Sequence, residues 1–422
     1  MRTRPTRFLT LAAASVTAIL LAACSSSGSP GSSGSGSAGT KSPILIGASL
    51  SQTGDFSADG QAFQRGYEMW AADVNRHGGL LGRPVKLIFL DDKSDPTQGS
   101  TNVQQLITSD HVQMLFGPFS SLITGPTSAV AARYGFAMIE GAGGAPSVFD
   151  TPSNEARHNT FDVSYPVASQ FNPMTSWIAS LPASQRPTTA AYPIIDNPFT
   201  IPPEQRALAQ LQSAGVKTVY DKVLPAEVPD FKAAADQVAA THAEAVFLGS
   251  VDVPTVAAFM QAFEQQHYNP KILIAAAGPD QGSAFLSAVG KANADGLMVA
   301  DGWYGGYKNA QSEAMVAEYI AKYGGTASGI NSDVAEAYGV GQVAAEAIKA
   351  TGGTNQAKII SYLHSGVTLS SVLGAVKFDA LGENTQSVVF VFQWQNGSFD
   401  QVLPAADPGS VKIQYPKPAW AG

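Results

Sequence analysis

The sequence predicts an α/β fold in two doubly wound, parallel-sheet lobes. Three observations carry this. A chain of 422 residues is longer than one ordinary core fills. Its 45% hydrophobic content gives ample apolar surface to bury against the entropy of ordering. Beyond Lys41, short continuous apolar runs alternate with helix-length amphipathic stretches, the pattern of βαβ units whose strands are covered on both faces.

The chain opens with a leader. Arg2, Arg4 and Arg7 form a basic start, and Phe8 to Leu20 is an apolar run of signal-peptide length, short of the roughly 20 apolar residues a span needs. It ends in Leu21-Ala22-Ala23-Cys24, which resembles a bacterial lipobox. Small residues before Cys24 suit a signal-peptidase pocket, and the thiol is the nucleophile that takes the lipid; the alternative is an ordinary leader with a buried cysteine. Residues 1–23 are therefore expected to be a lipoprotein signal peptide, and 24–42 the lipidated Cys24 with a tether. From Ser25 to Thr40, 13 of 16 residues are Ser or Gly, a flexible tract with a reach of about 20–25 Å. A membrane contact through a lipid anchor on the outer face of the cell membrane follows, on the periplasmic side if two membranes are present.

The first strands are read at Ile44–Ala48, Val85–Leu90, Val112–Phe116 and Phe136–Ile139. Further strands fall at Thr188–Ile195, Val216–Leu224, Ala245–Leu248, Ile272–Ala276, Gly296–Ala300, Val376–Phe378 and Ser387–Trp394. Helices are read at Gly60–Arg76, Pro96–Ser109, Phe231–Ala240, Val253–His267, Asp333–Ala350 and Asn355–Leu363. Ligands of such folds sit at the carboxyl ends of strands. The loops there are Gly47 to Gly54, Gly117-Pro118-Phe119-Ser120-Ser121 and Glu140 to Pro146, rich in small residues and hydroxyls that let backbone N–H groups approach an anionic group.

Composition and motifs exclude several functions. Removing the three leader arginines leaves 22 basic against 33 acidic residues, a net charge of −11, which disfavours nucleic acid as a partner. Six histidines at non-ligand spacings and one cysteine leave no metal centre or disulfide framework. The Gly141-Ala142-Gly143-Gly144 run lacks the third glycine of a dinucleotide loop and belongs to the fourth strand, so no cofactor is expected. Asp91, Asp92 and Asp95 lack the spacing of a calcium loop and read as a strand-end turn. With Cys24 assigned to lipid and no nucleophile elbow, the chain reads as a non-enzyme.

Several stretches resemble the type I periplasmic binding proteins, specifically the branched-chain amino acid binding proteins of ABC transporters. They are Ile44-Leu45-Ile46-Gly47, Asn75 to Pro84, Leu90 to Pro96, Gly117 to Ser121 and Tyr134-Gly135. The later ones are Gly278-Pro279-Asp280, Gly296 to Val299, Ala337-Tyr338 and Gly374 to Asp379. The resemblance runs in order from about residue 44 to 400. It implies two lobes joined by three crossover strands, near Ser164, Ala300 and Val376. The lobes would be 43–164 plus 301–375 and 165–300 plus 376–406, with 407–422 a C-terminal tail. It also implies ligand held in the cleft, hinged closure, and delivery to a permease and its ATPase.

The resemblance places a carboxylate-binding hydroxyl at Ser121, an ammonium-binding carbonyl at Ala142 and a lost threonine at Gly144. It places the acidic partner of the ammonium at Asp280, an aromatic wall at Phe199 and a second aromatic position on or near Val251. Two cysteines that pair in some members fall at Ser94 and Ser120. Each has a plainer alternative: Ser121 as a helix cap, Asp280 as the N-cap of the segment ending at Gly290, and Phe199 as core. Trp303 and Tyr304 follow a crossover strand and either line the cleft or pack. Asp333 reads as the N-cap of the helix to Ala350. The reading is a lipid-anchored solute-binding component of an ABC importer for a small amino acid or related carboxylate, with Gly144 leaving room for a larger ligand. The alternatives are a ligand-sensing lipoprotein, or an importer component for aromatic or aliphatic carboxylates or amides.

Overall fold

The computed structural model describes residues 41–149, 158–226 and 231–421. The leader, Cys24 and the tether lie outside the described residues.

The first sheet takes its strands early in the chain: β1 (Ile44–Leu50), β2 (Val85–Asp91), β3 (Met114–Phe116), β4 (Met138–Glu140) and β5 (Thr160–Asp162). Their order is β2-β1-β3-β4-β5, with every pairing parallel. Between them run α1 (Ser57–Arg76), α2 (Pro96–Thr108), α3 (Ser121–Arg133) and α4 (Pro146–Phe149). Asp95 starts α2 by accepting the Gln98 N–H at 2.6 Å, ahead of Pro96, whose ring suits a first helical turn. Asp91 and Asp92 stitch the turn after β2 to the loop after β1. Asp92 accepts from the Ser49 and Ser51 hydroxyls at 3.0 and 2.6 Å, and Asp91 from the N–H groups of Gln52 and Lys93 at 3.0 and 2.9 Å.

The second sheet holds β6 (Thr189–Ile195), β7 (Lys217–Leu224), β8 (Ala245–Leu248), β9 (Ile272–Ala275), β10 (Met298–Asp301), and, near the end of the chain, Phe390–Gln395 and Ser398–Leu403. Its helices are α5 (Asn172–Ser180), α6 (Ile201–Ser213), α7 (Lys232–Ala240), α8 (Val253–Gln265), α9 (Ser283–Val289) and α10 (Lys291–Ala294). After β10 the chain returns to the first lobe as α11 (Ala310–Tyr323), α12 (Asp333–Thr351) and α13 (Gln356–Leu363), then a small hairpin of β11 (Leu369–Ser371) and β12 (Gly374–Val376). Helix α12 lies against α1 at Gly66, where a side-chain carbon would come within 2.3 Å of the Val334 carbonyl. Only glycine permits that approach.

Two features depart from the sequence reading. The last strands are antiparallel, β13 (Phe390–Gln395) pairing onto β10 and β14 (Ser398–Leu403) onto β13, so the second sheet is mixed. Asn396 and Gly397, both at positive φ, make the two-residue turn between them. The third crossing also comes later than Val376: Val376 and Phe378 are buried in the first lobe's core, and the Asn384 amide donates to the Val163 carbonyl at 3.0 Å. The chain rejoins the second sheet at Phe390.

The segment after Leu403 is a strap across the second lobe. Gln414 donates its N–H to the Gln393 side chain at 2.8 Å, Lys417 donates its N–H to the Lys271 carbonyl at 2.9 Å, and the Trp420 indole donates to the Tyr268 carbonyl at 2.8 Å. The Lys417 ammonium sits 3.5 Å from the Trp420 ring centroid. Among the described residues no helix is long and apolar enough to cross a membrane.

Candidate ligand-binding cleft

The strand ends of the two sheets meet around a cavity of about 40 Å³, room for on the order of three waters. The first lobe contributes Ser120, Ala142 and Gly144 from the loops after β3 and β4, Asp162 and Tyr165 at and after β5, and Asp333 and Glu336 from the first turn of α12. The second lobe contributes Phe199 after β6, Asp280 after β9 and Asp301 at the end of β10. Gln170, on the first crossover, donates its side-chain amide to the Ala276 and Ala300 carbonyls at 2.6 and 2.9 Å. That pins the crossover to the ends of β9 and β10.

The wall is acidic. Five carboxyl groups line it (Asp162, Asp280, Asp301, Asp333 and Glu336), and among the described residues no Lys, Arg or His does. Two more buried acids adjoin them. Asp59 of α1 hydrogen-bonds Asp333, and Glu140 accepts the N–H groups of Ala142 and Gly143 at 2.9 and 2.5 Å. Partners are few. The Ser164 N–H donates to Asp162 Oδ1 at 2.7 Å and its hydroxyl to Glu336 Oε1 at 2.9 Å. The Gly302 N–H donates to Asp301 at 2.5 Å and the Gly278 N–H to Asp280 at 2.6 Å. Asp162 Oδ2 and the Ser120 hydroxyl have none among the described residues.

Burial without a cation disfavours the charged form. Loss of solvation pushes Asp280 up to about 6, and Asp59 and Asp301 to about 7. It pushes Asp162 up to about 8, with Glu383 adding repulsion. Glu140, Asp333 and Glu336 stand well above the usual carboxylate range, from burial first and neighbouring acids second. Near neutral pH the cleft holds both protons and negative charge, and either can be exchanged against a ligand.

The structure brings Ala142, Gly144, Phe199 and Asp280 to the cavity. Ser121 lies one position off: it is the first residue of α3, and its buried hydroxyl donates to the Ala142 carbonyl at 3.4 Å, while Ser120 faces the cavity. The room expected at Gly144 is filled, since a side-chain carbon there would stand 2.5 Å from the Tyr165 carbonyl and 2.7 Å from Asp162 Oδ2. Asp280 is not a helix cap; α9 begins from Gly282. Asp333 is not one either, because Ser332 holds the cap position and Asp333 opens the helix facing the cavity. Val251 is buried in a hydrophobic core away from the cavity lining.

Trp303 and Tyr304 are corrected. Trp303 is fully buried in the first core with its indole N–H on the Ser312 hydroxyl at 2.8 Å, and Tyr304 packs on Phe392 at 4.8 Å between ring centroids. Gly302 between Asp301 and Trp303 lets the chain pass close to the Tyr165 ring and carries the aromatic pair past the cleft. Sequence reading missed Asp162, Asp301, Glu336 and Asp59. A signal existed for the first two: each is an acid ending an apolar strand at its carboxyl end, where ligands of parallel sheets sit.

A sequence model described as "Periplasmic binding protein" matches residues 43–398. Leu/Ile/Val-binding protein homolog 2 of Brucella abortus is 35% identical over 96 residues, 23% of this chain, so the match spans about a quarter (26%) of that relative's length. A leucine-binding protein from Thermotoga maritima superposes with a TM-score of 0.74 at 19% identity, covering 85% of this chain and 97% of that one. A solute-binding protein of an R. palustris ABC transporter, solved in complex with benzoate, superposes with a TM-score of 0.73 at 16% identity, covering 89% and 98%.

Proposed function

Because the chain belongs to the periplasmic binding protein family, we propose that it is the solute-binding component of an ABC importer and binds rather than transforms its ligand. The observation that carries this is the cavity where strand ends of both sheets meet, walled by polar groups that lack partners. A solute seated there touches both lobes, so its binding favours one arrangement of them, which a permease can select. Ser120 offers a hydroxyl donor and the carboxyl groups offer acceptors, a set that suits an amino acid. Benzoate, bound by one relative, would meet five acids and no base here. The leader and Cys24 support an export route and a lipid anchor on the outer membrane face, with the permease and ATPase as partners.

The test is a thermal-shift screen of residues 41–422, a compact unit that contains its own cores. The protein is refolded first to strip resident ligand, then challenged with amino acids, amines, amides and carboxylates. A ligand at a hundred times its dissociation constant adds about 2.7 kcal/mol, a clear shift. No response to any solute overturns the reading. Loss of uptake of the hit when the gene is deleted separates an importer component from a sensor.

A further inference from the structure

We propose that the cleft selects a small organic cation, carrying at least one ammonium group in excess of any carboxylate, as basic amino acids and short diamines do. This rests on the solute-binding reading and narrows it to a substrate class.

The argument is one of charge balance. A neutral amino acid brings one positive and one negative group, and so leaves the charge of its site unchanged. Here five carboxyl groups line the cavity without a basic side chain among the described residues. One ammonium can satisfy one or two acids; each of the others either keeps its proton or ionises at a cost of several kcal/mol, so further positive charge on the ligand is what lets more of them ionise. Independent of the acids, the Ser120 hydroxyl is 2% exposed, lines the cavity and has no partner among the described residues. Asp162 is 1% exposed, and its free Oδ2 reaches the cavity edge beside Gly144. Both are groups waiting for a ligand atom.

The acids form a lining rather than a point. Among the described residues no group of three or more His, Cys, Asp and Glu is placed to hold a metal ion. Asp333 pairs with Asp59, and Asp280 and Asp301 repel the pair from the second lobe. Glu336 is tied instead to Ser164 and feels Asp162. The cavity of about 40 Å³ is too small for an extended ligand as it stands, so such a ligand enters with the lobes parted, its nitrogens meeting different members of this lining. In a basic amino acid the carboxylate would take the Ser120 hydroxyl.

The cation also displaces protons. Asp59 from α1, Asp280 and Asp301 from the second lobe and Asp162 from β5 all titrate between about pH 6 and 8. Glu140, Tyr165, Asp333 and Glu336, all raised by burial, face them from the neighbouring elements, while Asp252 adds repulsion to Asp59 and Glu383 to Asp162. An ammonium seated among these carboxyl groups favours their ionised form, so its affinity rises with pH across that window. A solute of zero net charge gains less.

The experiment is calorimetric titration of refolded residues 41–422 at pH 6, 7 and 8 with L-leucine, L-leucinamide, L-lysine, 1,4-diaminobutane and benzoate. At pH 6, where both amines are protonated, leucine and leucinamide differ chiefly in the carboxylate charge. The expected result is at least tenfold tighter binding of lysine or the diamine, and at pH 6 of leucinamide, than of leucine, with lysine and diamine binding strengthening from pH 6 to 8. Lysine and the diamine then separate the two sources of the cation. Asp162→Asn and, independently, Asp301→Asn should each weaken the best cation at least tenfold. Leucine or benzoate binding as tightly as the best cation overturns the cation proposal and leaves the solute-binding reading standing. Full cation affinity in both variants overturns it as well. No binding by anything in the panel overturns the cation proposal, and the broader thermal-shift screen then decides the solute-binding reading.

Discussion

Replacing Asp162 with asparagine should stabilise the empty protein at neutral pH and flatten its pH dependence. Asp162 carries its proton up to about 8 in the folded cleft, against 3.8 as the ordinary value. The folded state thus keeps a proton that the unfolded chain releases. A group raised in this way contributes fully below its unfolded value, and the contribution is lost as pH climbs through the folded one. For Asp162 the loss between pH 5 and pH 8 is roughly 3 to 4 kcal/mol, at about 1.4 kcal/mol per pH unit. Asparagine keeps the shape, and its side-chain oxygen can still accept the Ser164 N–H that now bonds Asp162 at 2.7 Å. The assay is urea unfolding of ligand-free wild type and Asp162→Asn at pH 5, 6, 7 and 8. Wild-type stability should fall across the series, and the variant's slope should be shallower by about one proton. A wild-type curve that is flat or rises, or a variant with the parent slope, refutes the reasoning.

Gly144→Thr would restore the hydroxyl of the branched-chain amino acid binding proteins, yet it should cost about 1–3 kcal/mol of stability and abolish ligand-induced thermal shifts. Its side chain would overlap the Tyr165 carbonyl and Asp162, and a variant with parent stability and binding would contradict this. Trp303→Phe should cost about 2 kcal/mol in urea unfolding, through lost packing and the lost indole bond to Ser312. Its ligand affinity should be unchanged; a tenfold loss would return Trp303 to the cleft.

The fold was legible because its signals are local. Continuous apolar runs such as Ile272 to Ala275, set between amphipathic stretches, require buried parallel strands wherever they occur in the chain. The antiparallel return of β13 and β14 was less legible, since an apolar run carries no direction; the Asn396-Gly397 turn was the available clue. For the cleft, Ala142, Gly144, Phe199 and Asp280 were found through resemblance, whereas Asp162, Asp301 and Glu336 come from three separated stretches that only the fold brings together. Trp303 and Tyr304 show the opposite failure. An aromatic pair after a strand can turn to either side, and the Ser312 hydroxyl and the Phe392 ring, distant in sequence, decide which.

The strap formed by the last described residues has a practical side. Its hydrogen bonds run to Gln393, Lys271 and Tyr268, all in the second lobe. A dye placed on the exposed Ala406 therefore rides with that lobe, while one on the exposed Lys86 of β2 rides with the other. The pair forms a molecular ruler that leaves every cleft residue untouched, and through it a solute too small to be seen directly could be counted by the distance it imposes.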